Sequence, residues 1–157
     1  MKPYDSFGVT NVPVPSTGYA LDRTAAIDDA FKNGLKIVDA DAFTLQLDLD
    51  SLSTFEVFVY RRLPSLISFI AIKRVYWTES KSGNRHVYIE LPTAMPVEER
   101  IALQASLGSD PVREFLNLMR VKAGTEHPIL LFEKPDTIKN VIYATDGYQP
   151  QLTAGTE

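Results

Sequence analysis

The segment Leu45-Gln46-Leu47-Asp48-Leu49-Asp50 alternates apolar and polar side chains and ends with two carboxylates two positions apart. Because successive side chains of a β-strand point to opposite faces, this pattern predicts a strand with the three leucines on one face and Gln46, Asp48 and Asp50 on the other. Two neighbouring carboxylates repel each other and raise each other's pKa unless a cation lies between them. The segment therefore indicates either a divalent-metal site or the solvent-exposed end of an amphipathic strand.

The composition predicts a single soluble globular domain. The chain has 157 residues, of which 45% are hydrophobic and 23% are charged. It contains no Cys, which excludes disulfides and Cys-ligated zinc, so no zinc site is predicted. The net charge of -4 argues against a passive nucleic-acid coat held by a broad basic surface. No apolar run is long enough to span a bilayer and no signal peptide is seen, so a cytoplasmic protein without a membrane partner is expected.

Local signals divide the rest of the chain into helices and strands. A helix over about 23–33 with Asp22 as its cap follows an irregular lead-in over 1–20. Ser53 and Glu56 form a capping-box pattern for a helix that is expected to stop at Pro64. The segments 71–78 and 85–91 are predicted to form a hairpin, helices are predicted over 96–107 and from Asp110 to near Gly124, and a last strand is predicted over 129–132. On the helix after Asp110, four side chains are expected to be buried: Val112, Phe115, Leu116 and Met119.

The order of these elements indicates an α+β fold with a split βαβ core of the kind found in ferredoxin-like and RNA-recognition-motif (RRM) domains. Residues 1–43 would form an N-terminal extension, 44–134 the core (β-α-β-β-α-α-β) and 135–157 an irregular tail. In this topology the first and third strands are central neighbours, and one face of the sheet is open. His86, Tyr88 and Glu90 would share that open face with Asp48, so His86 is expected to lie beside the acidic pair.

Three motifs in this order resemble the archaeo-eukaryotic primase superfamily, in particular the primase-polymerases of plasmids and viruses. The first is a hydrophobic strand that ends in Asp-x-Asp, here Leu47-Asp48-Leu49-Asp50. The second is a Ser-Gly turn before a strand that opens with a histidine, here Ser82-Gly83-Asn84-Arg85-His86-Val87. The third is an Asp that begins a helix, followed by an arginine and a Gly-Thr turn, here Asp110, Arg120 and Gly124-Thr125. The resemblance covers about residues 44–134.

The resemblance implies template-directed nucleotidyl transfer by two metal ions, Mg²⁺ or Mn²⁺. It makes Asp48, Asp50 and Asp110 the metal ligands and places His86 on the incoming triphosphate. Ser82 would support the phosphates, and Arg120 would lie near the nucleotide. The implied partners are nucleoside triphosphates, a single-stranded DNA template and a helicase or other replication protein.

Other interpretations of the same residues are open. Asp110 before Pro111 is a strong helix N-cap without any metal. The whole core could be a catalytically inactive RRM-like relative that binds single-stranded nucleic acid or replication proteins, with Tyr76 or Tyr88 stacking a base. An RRM of the usual type is disfavoured because its Lys/Arg-Gly-Phe-like segment is missing. A nicking-type replication initiator is excluded because it needs a His-x-His pair, and the only histidines are His86 and His127.

Overall fold

The computed structural model describes residues 23–145 and 147–148, which form an α+β fold with two antiparallel sheets. The helices are α1 (Arg23–Lys32), α2 (Leu52–Val57), α3 (Leu63–Phe69), α4 (Val97–Ser106) and α5 (Pro111–Lys122), and a π-helical turn (Phe58–Arg62) joins α2 to α3. The strands are β1 (Lys36–Asp39), β2 (Thr44–Leu49), β3 (Arg74–Glu79), β4 (Arg85–Glu90), β5 (Leu130–Glu133), β6 (Asn140–Ala144) and β7 (Gly147–Tyr148). The expected lead-in over 1–20 and the cap at Asp22 lie outside the described residues.

The larger sheet contains the predicted split βαβ unit. Its strand order is β2-β4-β3-β6-β7, and β4 is antiparallel to both of its neighbours. The strands β2 and β3 therefore run in the same direction on either side of β4, and α2 and α3 connect them. The register places Asp48 opposite His86. The split βαβ core and the β3–β4 hairpin are thus confirmed.

The position of β2 differs from the prediction, because β2 lies at the edge of the sheet and not at its centre. The last predicted strand, β5, pairs with β1 in a separate two-stranded sheet, with Val38 opposite Leu131. The outer edge of β2 is occupied by side chains: the Gln46 amide donates to Gln104 Oε1 at 2.9 Å, and the Asp48 amide donates to Ser109 Oγ at 3.0 Å. Buried backbone amides need hydrogen-bond acceptors, and here these side chains provide them in place of a neighbouring strand.

The need for hydrogen-bond partners at this edge also explains the orientation of α5. The face of α5 that packs against the protein is not the apolar face that was predicted to do so. Val112 and Phe115 are 62% and 38% exposed, and the buried side chains of α5 are polar: Arg113, Glu114, Asn117 and Arg120. Arg113 donates to the Gln46 carbonyl oxygen at 2.7 Å and to the Leu130 carbonyl oxygen at 3.1 Å. The apolar stripe therefore failed as a guide to burial, because the edge of β2 and the first residue of β5 need hydrogen-bond donors.

The helix after β2 also differs from the prediction at both ends. Its cap is Ser51, whose Oγ accepts from the Thr54 amide at 3.1 Å, and not the pair Ser53 and Glu56. The helix continues past Pro64 to Phe69. In the π-helical turn, the Leu63 amide donates to the carbonyl oxygen of Phe58, five residues earlier. This wider turn accommodates a proline that lacks an amide N–H and would crowd a regular α-helix.

The main core lies between the larger sheet and the helices α2 and α3. The leucines of β2 are fully buried there and pack with Phe55, Trp77 and Ile142. Ile142 belongs to β6, so the segment after Asn140, which was expected to be irregular, supplies a strand and a core residue as far as it is described.

The first helix, α1, buries only part of its apolar surface. Ala26 and Ala30 are buried, whereas Ile27 is 48% exposed and Phe31 is 83% exposed. The next segment, β1, was expected to be part of an extension, but it pairs with β5 and so belongs to the fold.

Candidate metal centre

Three carboxylates converge where β2 ends and α5 begins. Asp48 is the fifth residue of β2, Asp50 follows the strand, and Asp110 is the N-cap of α5. One carboxylate oxygen of each residue lies within 4.8 Å of the others. Among the sequence-predicted site residues, the structure therefore brings together the three proposed metal ligands.

Backbone hydrogen bonds hold this convergence in place. The Asp110 amide donates to the carbonyl oxygen of Asp48 at 2.8 Å, next to the bond from the Asp48 amide to Ser109 Oγ. Asp110 Oδ1 accepts from the Val112 amide at 3.0 Å, so the predicted N-cap is also present. A helix cap uses one carboxylate oxygen, and the structural and metal-binding roles of Asp110 are compatible.

The electrostatics of the cluster favour a bound cation. Burial raises the pKa of Asp48, and the nearby Asp110 adds to this, while His86 and Arg113 act in the opposite direction. Burial, Asp110 and Asp48 together raise the pKa of Asp50. Within the described residues, Asp48 Oδ1 is a buried atom without a hydrogen-bond partner. Oxygen ligands from carboxylates suit Mg²⁺ and Mn²⁺, so the donor set fits the divalent cation that the sequence resemblance implies.

His86 lies beside Asp48, as predicted from the strand register. Its Nε2 is 3.6 Å from Asp48 Oδ1. The face that these residues share is not open, however, because His86 and Tyr88 are only 5% and 3% exposed. The two-stranded β1–β5 sheet covers this region, since Glu133 at the end of β5 contacts both side chains.

Glu133 is a site residue that the sequence analysis missed. Its carboxylate accepts hydrogen bonds from His86 Nδ1, from Thr78 Oγ1 at 2.9 Å and from Tyr88 Oη at 3.0 Å. Burial, followed by the charge of Glu133, raises the pKa of Tyr88, so its hydroxyl remains a donor. The available signal was a carboxylate directly after the apolar run 129–132, the same pattern that identified Asp48 and Asp50.

The candidate site opens into a cleft of about 280 Å³. Its polar lining is Asp48, His86, Asp110, Arg113 and Arg120, and apolar side chains of α5 and β5 complete it. Arg120 donates to Asn117 Oδ1 at 2.9 Å, which places its guanidinium at one wall. A larger groove of about 470 Å³ lies against α2 and α3 and is lined by apolar residues, arginines and a serine. Among the described residues that groove is lined by no carboxylate or imidazole, whereas the smaller cleft contains both.

Two predicted site residues do not line this cleft: Asp50, which still belongs to the carboxylate cluster, and Ser82, which lies apart from it. Ser82 lies on the exposed β3–β4 turn, where its Oγ is 3.2 Å from Ser80 Oγ, and it is not among the lining residues in the described part of the chain. Arg85, at the start of β4, points to the opposite side of the sheet and stacks over the rings of Trp77 and Phe55.

Comparisons with known proteins gave no match, whether with protein-family models, with curated proteins or with solved structures. In the described residues, no helix combines the length and the apolar character needed to cross a membrane.

Proposed function

We propose that this protein is a cytoplasmic, metal-dependent nucleotidyltransferase of the primase-polymerase type, which acts in the replication of a mobile element or virus. The observation that carries the proposal is the convergence of Asp48, Asp50 and Asp110 within 4.8 Å beside a buried histidine. Three carboxylates this close together are unfavourable without a cation, since each negative charge raises the free energy of ionising the next carboxyl group. A pair of divalent cations would offset that repulsion.

The protein side chains would hold and orient the reactants. Asp48, Asp50 and Asp110 would hold Mg²⁺ or Mn²⁺, which would activate a 3′-hydroxyl and stabilise charge on the reacting phosphoryl group. Arg120, on the wall of the cleft, would provide positive potential for a triphosphate, whereas the charge of Arg113 is balanced by Glu114. Apolar side chains of α5 and β5 line the rest of the same cleft.

A specific observation supports a second candidate function, single-strand binding without catalysis. On the same face of the sheet, the half-buried ring of Tyr76 stacks on Tyr88 with 5.0 Å between ring centroids. Arg74 and Lys139 each approach the Tyr76 ring to 5.0 Å. Aromatic rings that lie close to basic side chains are common on surfaces that bind single strands. The template of the proposed reaction could use this surface, and so could a non-catalytic relative.

The deciding experiment is template-directed incorporation of labelled nucleotides, with ribo- and deoxyribonucleotides offered separately on primed and unprimed single strands. We expect incorporation with Mn²⁺ or Mg²⁺ by the parent protein and its loss in Asp48→Asn/Asp50→Asn, which removes two charges with little change in volume. Asp28→Asn, on the exposed face of α1, is the matched control and should remain active.

Failure of the parent to incorporate nucleotides with either metal on any of these templates would refute the catalytic proposal. Retained binding of the same oligonucleotides in EDTA, measured by fluorescence anisotropy, would then favour the single-strand-binding function.

A further inference from the structure

A carboxylate lies near each nitrogen of the His86 ring. Its Nδ1 contacts Glu133 Oε1, and its Nε2 lies 3.6 Å from Asp48 Oδ1. In the tautomer that donates a hydrogen bond to the Glu133 carboxylate, the ring proton is on Nδ1. Nε2 is then the ring nitrogen that faces the acidic cluster.

The 3.6 Å separation between His86 Nε2 and Asp48 Oδ1 is longer than a hydrogen bond. Two atoms that ligate one cation at about 2.1 Å are about 3 to 4 Å apart. Among the described residues, Asp48 Oδ1 is buried and has no hydrogen-bond partner. His86 is 5% exposed, and both side chains line the cleft described above. This spacing fits two ligands of a shared ion, and Asp48 Oδ1 makes no hydrogen bond in the described residues that would compete with it.

The Glu133 side chain is held in place by further hydrogen bonds, and it in turn orients the His86 ring. Thr78 Oγ1 and Tyr88 Oη donate to it, and β5 is paired along its length with β1. Glu133 is 2% exposed. Histidines that bind metals commonly donate their second ring N–H to a carboxylate in this way, which sets the tautomer and the orientation of the ring.

We propose that His86 is a metal ligand through Nε2, together with Asp48, and that Glu133 is the residue that positions it. This inference rests on the metal centre of the proposed function and changes the part that His86 plays in it, from a contact with the triphosphate to a ligand of the ion. A mixed set of imidazole and carboxylate ligands favours Mn²⁺ or another divalent transition metal over Mg²⁺ at this position.

The test uses electron paramagnetic resonance of Mn²⁺ bound to the untagged full-length protein without nucleotide. Electron spin-echo modulation detects ¹⁴N from an imidazole bound directly to Mn²⁺. We expect ¹⁴N modulation in the parent and in His127→Ala, which removes the only other histidine. His86→Gln should lose the modulation, and Glu133→Gln should weaken Mn²⁺ binding by about 10- to 100-fold.

The outcomes separate the two proposals. Mn²⁺ binding that is lost in Asp48→Asn/Asp50→Asn but shows no ¹⁴N modulation in the parent would overturn the role of His86 and leave the acidic metal centre intact. Absence of Mn²⁺ binding by the parent at millimolar metal would overturn both. Since the parent spectrum decides the point, a variant that fails to fold does not leave the proposal untested.

Discussion

Asp48→Asn is expected to stabilise the metal-free protein and to destroy its response to metal. Unit charges 4.8 Å apart repel by about 3.5 kcal/mol at an effective dielectric constant of about 20 and by about 0.9 kcal/mol in bulk water. The side chain of Asp48 is 23% exposed, and its attraction to His86 and Arg113 offsets part of the repulsion. We therefore expect the free energy of unfolding to rise by about 1 to 2 kcal/mol at pH 7.

The pH dependence of this gain follows from the raised pKa of Asp48. A carboxyl group whose pKa is higher in the folded state lowers stability as the pH rises from its ordinary pKa of 3.8 through the folded value. Below that range the carboxyl group is neutral in both states, and it then resembles the amide of Asn. The gain from Asp48→Asn should be complete at pH 7 and should shrink towards zero as the pH falls below 3.8.

Urea unfolding in EDTA measures the gain, with the fluorescence of Trp77, the single and fully buried tryptophan, as the probe. In parallel, Mn²⁺ at 100 times its dissociation constant should stabilise the parent by about 2.7 kcal/mol and should leave the variant unchanged. The exposed Asp28→Asn is the control for both measurements. A loss of stability in Asp48→Asn at pH 7 in EDTA would show that the carboxylate is well satisfied without metal, and the electrostatic reasoning would be wrong.

Two further predictions concern the packing that holds the site. Arg113→Met removes the donors to Gln46 and Leu130 and leaves Glu114 without its 2.6 Å ion-pair partner, so the free energy of unfolding should fall by about 3 to 5 kcal/mol. The control is Arg61→Met on an exposed helix face, which should be nearly neutral. A fall of less than about 1 kcal/mol in Arg113→Met would contradict the assigned hydrogen bonds. In the same urea titration, Val112→Thr should change the free energy of unfolding by no more than about 0.5 kcal/mol, because the Val112 side chain is exposed. A markedly larger loss would indicate that α5 buries its apolar stripe, as the sequence predicted.

The parts of the fold that the sequence predicted are those with local causes. The alternation in β2 depends on neighbouring residues alone, as does the N-cap at Asp110 with Pro111 after it. The β3–β4 hairpin follows from two strand-like segments with a short polar turn. These three features were enough to bring Asp48, His86 and Asp110 towards one another, because the split βαβ connection leaves few alternative registers.

The errors came from a non-local cause, the identity of what covers the outer edge of β2. Once side chains from α4 and α5 hydrogen-bond with that edge, β5 has to pair elsewhere and α5 has to bury arginine, glutamate and asparagine. A stripe of Val112, Phe115 and Leu116 carries no information about such a demand. Glu133 was missed for the same reason, since its importance arises only when β5 crosses the face that holds His86.

The amide protons of Gln46 and Asp48 are donated to side chains of the α4–α5 region and not to a neighbouring strand. Exchange of these two protons with solvent therefore requires α4 and α5 to move away from the sheet, while fraying of β2 from β4 leaves them protected. The same movement separates Asp110 from Asp48. Slow deuterium uptake at two backbone positions thus reports directly on how long the three carboxylates stay assembled.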